Sequence, residues 1–268
     1  MRLNNAKSNV SADNIKEFVD WILKIGDGRI GLKENGECVV EIPHDLLIEA
    51  TKTPLLSLVN FVYPNLLTDM TCPGYFEDGA ILCPITESVE QVNDFILSLL
   101  SAKEITYLSS DTPCQSYEDR EIEGEWFTSE FLNEIKCSRI PNHDLHLKIG
   151  VPIMLLRNID QANGLCNGTR LQVIDLKKNV ICATILTRSN IGDKIFISRM
   201  NLIPLYAGMP FKFQRRQFPV GYFFAMTINR NQCQSLTKVG LYLPCLVFTH
   251  RQLYIDISRV RTKEDYIF

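Results

Sequence analysis

Between Leu145 and Pro204 the hydrophobic pattern runs in short strands, whereas the segments on either side of that block carry helical periods and buried-type strands. The strands within the block are Leu145–Leu156, Leu171–Leu176, Val180–Leu186 and Lys194–Ile197. Turn signals at Asn167-Gly168 and Ile191-Gly192-Asp193 separate them, as a small antiparallel barrel or sandwich needs. Ahead of the block, Ala80–Cys83 reads as a buried strand that Pro84 breaks. Thr86 then caps a helix with Val89, Val92, Phe95, Ile96 and Leu99 on one face. That order is half of a parallel βαβ unit. Behind the block, Tyr222–Ile228 and Val239–Leu243 read again as buried strands, and Thr249 with Gln252 forms a capping box for a helix reaching Val260. The pattern therefore predicts an α/β domain, residues 1–144 and 211–268, interrupted by a β-rich insert at 145–210.

The N-terminal part adds a helix over Asn14–Ile25, with Asn14 and Glu17 as a capping pair and Gly26 as its stop. A short strand over Cys38–Ile42 and a helix over Pro54–Val62 follow. No apolar run is long enough to be a signal peptide or a membrane span, and the nine cysteines are scattered, odd in number and never spaced as CxxC. The expected setting is a reducing one, nuclear or cytoplasmic, with no membrane partner.

A formal net charge of -3 supplies no overall positive field for a phosphate backbone, so any nucleic-acid contact must come from a local patch. The candidate is Phe211-Lys-Phe-Gln-Arg-Arg-Gln-Phe218, where Lys212, Arg215 and Arg216 alternate with phenylalanines. Cations neutralise phosphates and aromatic faces stack on bases, which suits single-stranded nucleic acid; an amphipathic edge strand with a solvated charged face has the same composition. Cys137, His143 and His146 lack the paired spacing of a structural zinc site, and no metal is expected there. No GxxxxGK[ST] phosphate loop occurs.

Two stretches resemble motifs of Helitron-type, Pif-like ATP-dependent DNA helicases of superfamily 1, which are RecD-like. Phe223-Phe-Ala-Met-Thr-Ile-Asn-Arg-Asn-Gln-Cys-Gln-Ser-Leu236 resembles their motif V, and Tyr254-Ile-Asp-Ile-Ser-Arg-Val260 resembles their motif VI. Ala80-Ile-Leu-Cys-Pro-Ile-Thr-Glu87 is similar to the strand and turn that open the second motor domain. Leu147–Asn158 with Leu165–Leu171 is similar to the SH3-like 2B insert, and Met1-Arg-Leu3 to the end of an Asn-Met-Arg-Leu segment.

The resemblance implies a RecA-like 2A domain of P-loop NTPase type, a parallel sheet with flanking helices, interrupted by an SH3-like 2B barrel. It implies a motor that hydrolyses ATP with Mg2+ and moves along single-stranded DNA, five-prime to three-prime. In that frame Arg259 is the arginine finger with Arg2 its companion. Gln232 couples the nucleotide to DNA, and Thr227, Asn229 and Arg230 face the DNA backbone. Without the frame, Arg259 complements a helix dipole, Gln232 caps a helix and Arg2 sits in a frayed terminus.

Three departures bear on the motor. Cys233 stands where the family has glycine, Arg230 replaces lysine, and Asp256 lies three residues before Arg259, within reach of it on a helix. The Walker A and B motifs, and the first motor domain that carries them, have no counterpart here. The expectation is a C-terminal helicase portion that is inactive alone and needs that missing domain as its partner. The alternative is a non-enzymatic, transposon-derived remnant that at most binds single-stranded DNA. Repair, recombination, telomere maintenance and rolling-circle transposition are all associated with such motors.

Overall fold

The computed structural model describes residues 9–30, 32–34, 37–48, 53–72, 74–77, 79–114, 128–137, 140–187, 190–204, 211–228, 236–245, 253–254 and 265–268. In chain order the first elements are α1 (Asn9–Gly26), β1 (Leu32–Glu34), β2 (Glu37–Val39), α2 (Pro54–Val62), α3 (Leu66–Asp69), β3 (Gly79–Cys83) and α4 (Thr86–Leu99). Then come β4 (Glu104–Leu108), β5 (Ser110–Pro113), α5 (Ser129–Glu134), β6 (Asp144–Lys148), β7 (Pro152–Leu155), β8 (Arg170–Leu176), β9 (Val180–Ile185) and β10 (Lys194–Ser198). The last are β11 (Met200–Leu202), β12 (Phe213–Gln217), β13 (Val220–Tyr222), β14 (Ala225–Thr227), β15 (Lys238–Leu241) and β16 (Tyr266–Ile267). The chain divides into two compact units, residues 1–100 with 224–268, and residues 101–223.

The first unit is built on a parallel sheet in the order β14-β3-β15-β16. Every residue of β3, Gly-Ala-Ile-Leu-Cys, is buried, which is why this strand reads as a continuous apolar run rather than an alternation. Helix α2 packs on β15 so closely that a Cβ placed at Gly240 lies 2.6 Å from Leu58 Cδ1 and 2.8 Å from Val62 Cγ2. Helix α4 packs on β14, where buried Asn93 accepts the Ala225 N–H through Oδ1 at 3.0 Å. The hydroxyl of Tyr63 donates to the Phe224 carbonyl at 2.8 Å, and its ring meets Phe76 and Phe224 edge-on.

Several boundaries differ from the sequence reading. Helix α1 starts at Asn9, so Asn14 lies inside it and the Asn14–Glu17 pair does not mark its start. The residue before α4 is Ile85, extended and without a side-chain cap; Thr86 is the first helical residue. The expected strand over Cys38–Ile42 is the shorter β2, paired with β1 in a hairpin. The capping box at Thr249 and Gln252 lies outside the described residues, although Leu253 and Tyr254 are helical.

The second unit is antiparallel throughout. A five-stranded sheet runs β10-β9-β8-β7-β13, a three-stranded sheet runs β11-β12-β5, and β4 pairs with β6. Long-range pairing sets its extent. Strands β4 and β5 precede residue 145 and pair with β6 and β12, while β13 lies beyond residue 210 and pairs with β7, so the unit spans 101–223 rather than 145–210. The expected single strand over Leu145–Leu156 is two, β6 and β7, parted at Ile149-Gly150, where Gly150 has φ +89°. Likewise Tyr222–Ile228 is divided between β13 and β14, which belong to different sheets.

Candidate nucleic-acid interface

Strand β12 carries the basic segment of the sequence, and a period of two decides which of its side chains meet solvent. The strand lies in the middle of its sheet, not at an edge. Phe213, Arg215 and Gln217 are all buried on one face, while Gln214 is half-buried and Arg216 exposed on the other. Lys212, just before the strand, is also exposed.

Arg215 is fully buried against Asp111, the closest N···O distance being 2.7 Å with both side chains at 0% exposure. Its Nε also donates to Asp111. The remaining N–H groups reach the carbonyls of Leu132 at 2.8 Å, Ile135 at 3.1 Å and Pro141 at 3.2 Å. All five donors of the guanidinium are thus engaged, and none is left for a phosphate. Arg215 therefore leaves the set of candidate DNA contacts. Its work is structural: it caps carbonyls at the C-terminal end of α5, whose N-terminus is capped by Thr128 Oγ1 accepting from Phe131 N at 3.2 Å.

The aromatic half of the expectation fails for the same reason. Phe213 and Phe218 are at 0% exposure, and Phe211 packs on Phe131 and Phe213 rather than presenting a free face. Phe213, with Phe211 packed against it, builds a small core with Leu132, Ile140 and Leu202, and Phe218 packs edge-on against Tyr107, so these rings leave no stacking platform for bases.

Asp111 extends the buried pair into a network. The Ser109 hydroxyl donates to Asp111 Oδ1 at 2.6 Å and lies 2.8 Å from His143 Nδ1. A hydroxyl has one proton and a carboxylate only accepts, so His143 must donate to Ser109 from Nδ1. Gln217 donates to the carbonyls of Tyr107 at 2.7 Å and His143 at 3.0 Å, and its own oxygen accepts from Phe218 N. His146 has separate partners, Thr106, Glu104 and Asp144, at 3.0 to 3.4 Å. Burial pushes the Cys137 thiol up, and the Arg215 charge pulls it part of the way back.

In the parallel sheet, Thr227 ends β14 opposite Cys83, the last residue of β3, and is half-buried at the carboxyl edge where open α/β sheets place ligands. The other candidates, Arg2, Asn229, Arg230, Gln232 and Arg259, lie outside the described residues. The start of the second motif is anchored, however: a Cβ at Gly26 would lie 2.7 Å from Tyr254 Cδ2, so Gly26 is both the end of α1 and the seat of the Tyr254 ring. Helical periodicity alone assigns Gly26 only the first role.

Residues 130–176 match the family described as DNA helicase Pif1, 2B domain. The ATP-dependent DNA helicase PIF6 of Trypanosoma brucei brucei is 27% identical over 128 residues, 45% of this chain and 16% of that protein. The ATP-dependent DNA helicase PIF1 of Xenopus laevis is 29% identical over 129 residues, 46% of this chain and 19% of that protein. Among solved structures, the Pif1 helicase from Candida albicans superposes with a TM-score of 0.60 at 18% identity, covering 94% of this chain and 53% of that one. The Bacteroides Pif1 helicase in complex with ADP-AlF3 and single-stranded DNA gives 0.57 at 19% identity, covering 94% and 48%. The chain thus spans about half the length of these solved chains. With its parallel sheet and its β-rich insert, the chain is similar in fold to these Pif1 helicases, a RecA-like α/β sheet interrupted by an insert, and residues 130–176 within the insert match the Pif1 2B domain.

Proposed function

We propose that this chain forms the C-terminal part of an ATP-dependent DNA helicase that moves along single-stranded DNA from five-prime to three-prime. The observation that carries the reading is the interruption itself: a parallel β14-β3-β15-β16 sheet split in sequence by residues 101–223, within which lies the 2B match. In this reading Arg259 presents a planar, permanently charged donor to the phosphoryl group, with Arg2 beside it, and Gln232 links that end to the DNA surface. Thr227, Asn229 and Arg230 face the DNA backbone in the first unit, and Lys212 and Arg216 are the cations that the insert offers to DNA. ATP with Mg2+ supplies, when bound, the phosphoryl transfer that drives movement.

No GxxxxGK[ST] lies in the 268 residues, so the phosphate cradle has to come from a separate motor domain, and this chain alone neither hydrolyses ATP nor unwinds DNA. Its scattered cysteines support a reducing compartment, nuclear or cytoplasmic. The departures at Cys233 and Asp256 favour a second reading, a single-stranded DNA-binding remnant without a motor.

The test is to measure single-stranded DNA binding and ATP turnover on the pure chain. Salt-sensitive binding without turnover is expected. Turnover that rises with DNA concentration overturns the inactivity, and absence of binding overturns the DNA reading. Restoration of DNA-dependent turnover by a Pif1-type first motor domain separates helicase portion from remnant.

A further inference from the structure

Strand β10 bounds one side of the five-stranded sheet, and among the described residues no strand lies on its other flank. Sheet edges are usually blunted by a proline, a bulge or a very short strand. At the far side of the same sheet β13 is three residues long and follows Pro219, and β5, an edge of the three-stranded sheet, ends on Pro113. β10 carries none of these devices: its register with β9 is unbroken over five residues, and its charge, Lys194, stands at one end. The middle residue, Phe196, is 73% exposed, more than any other large hydrophobic side chain among the described residues.

The backbone of β10 meets that open flank in a definite pattern. The Ile185 N–H donates to the Asp193 carbonyl, and the alternation of an antiparallel ladder carries the hydrogen-bonded pairing on to Ile195 with Ala183 and Ile197 with Ile181. The N–H and C=O groups of Lys194, Phe196 and Ser198 therefore point away from β9. They form a row of donors and acceptors, two residues apart, that a further strand can meet.

The side chains specify which strand fits. Antiparallel pairing of β10 with its own copy, centred on Phe196, sets Phe196 against Phe196, Lys194 against Ser198 and Ile195 against Ile197. Just beyond the strand, Asp193 meets Arg199 of the second copy at both ends. No like charges are opposed, and each end gains an opposite pair. Within one copy neither Asp193 nor Arg199 has an ion-pair partner among the described residues; Arg199 donates from Nη1 to the Leu108 carbonyl at 2.6 Å and lies over the Phe218 ring.

We propose that β10 is a self-association strand: β10 of a second copy adds to it antiparallel about a two-fold axis at Phe196, joining the two five-stranded sheets into one. The inference does not rest on the DNA reading. Each copy uses the same edge, so the contact closes at two and leaves no β10 flank for a third. The two Phe196 rings share a face across the axis and cover one another.

The experiment is sedimentation equilibrium of the purified chain over the micromolar range, with circular dichroism to confirm that each variant folds. Wild type is expected to approach twice the mass of one chain. Phe196→Glu opposes two carboxylates at the axis and is expected to raise the dimer dissociation constant roughly tenfold or more. Ser198→Glu gives each Lys194 an anion and is expected to lower the constant roughly fivefold, whereas Ser198→Lys raises it by a similar factor. Ile174→Glu, on an exposed residue of β8 two strands in from the edge, is expected to leave it unchanged.

A wild-type chain that stays monomeric throughout overturns the second copy as the occupant of this edge. So does a mass that climbs past the dimer, because the pairing closes at two. A dimer that resists Phe196→Glu lies elsewhere on the molecule, and one that Ile174→Glu disrupts equally forms through the sheet face rather than its edge. If Ser198→Glu and Ser198→Lys shift the constant in the same direction, Lys194 does not face Ser198 and the pairing is wrong.

Discussion

The two units bury the interior strand of a sheet in opposite ways. In the parallel sheet β3 is apolar from end to end, and helix and sheet approach until only a hydrogen fits at Gly240. In the insert β12 holds an arginine and a glutamine among its buried residues, and the enclosed charge is answered by Asp111 and three carbonyls. The first arrangement draws stability from close packing, to which every methyl contributes. The second derives its definition from directional bonds: Arg215 binds β12, β5, α5 and the Pro141 loop in one geometry, and a displaced register leaves a charge without a partner.

The largest effect expected from this contrast is at Asp111. Asp111→Ala leaves the Arg215 guanidinium buried without its anion and is expected to destabilise the insert by roughly 3–5 kcal/mol, read as a fall in its urea midpoint. Replacing both partners, Asp111→Leu with Arg215→Met, sharpens the point. If the pair serves to define the arrangement rather than to stabilise it, the double variant recovers most of the loss but shows broader amide resonances in α5 and β12. A double variant as unstable as the single one would mean that the pair is itself a source of stability.

In the parallel sheet the comparable test is Gly240→Ala. The added methyl meets Leu58 and Val62, both buried, and the expected cost is about 1–3 kcal/mol from overpacking. A neutral result would mean that α2 can move off β15 cheaply, and the contrast between a close-packed unit and a bonded one would break down. Tyr63→Phe is smaller still. It removes the hydroxyl donor to Phe224, whose carbonyl keeps the Ile81 N–H as a partner, so a loss of about 1 kcal/mol in the same assay is expected.

The contrast also explains what the sequence discloses. Helix α2, strand β3 and the body of α4 are legible because their burial is continuous or helical, and local pattern is enough to show it. The break between β6 and β7 is not: Leu147 to Leu156 is apolar apart from Lys148 and Gly150, and only the positive φ of Gly150 separates the two strands. The role of Arg215 is half visible. A period of two places it with Phe213 and Gln217 and sets Arg216 apart, a signal that composition overlooks. Asp111 is beyond reach, because it meets Arg215 across more than a hundred residues of chain and no local pattern marks it. The motif residues Gln232 and Arg259 are legible only by resemblance.

The smallest effect lies on the surface of the insert, in the turn from Asp160 to Leu165 within the stretch that matches the 2B domain. The Asp160 carboxylate accepts from the Asn163 side chain at 2.6 Å and from its backbone N–H at 3.2 Å, and these bonds hold its pKa below the ordinary 3.8. A carboxylate with a lowered folded pKa adds stability above the unfolded value and loses it as pH falls through the folded one, so the turn should stay ordered down through the usual aspartate range and loosen only below it. Because the group is fully exposed, the consequence is local. Asn163→Ala removes the side-chain bond and should return the Asp160 titration, followed by its carboxyl carbon shift, toward 3.8 while leaving the urea midpoint of the insert where it was. A midpoint that moved with this substitution would make the surface of the insert as much a part of its stability as the buried pair, and the distinction between bonded interior and solvated exterior would have to be redrawn.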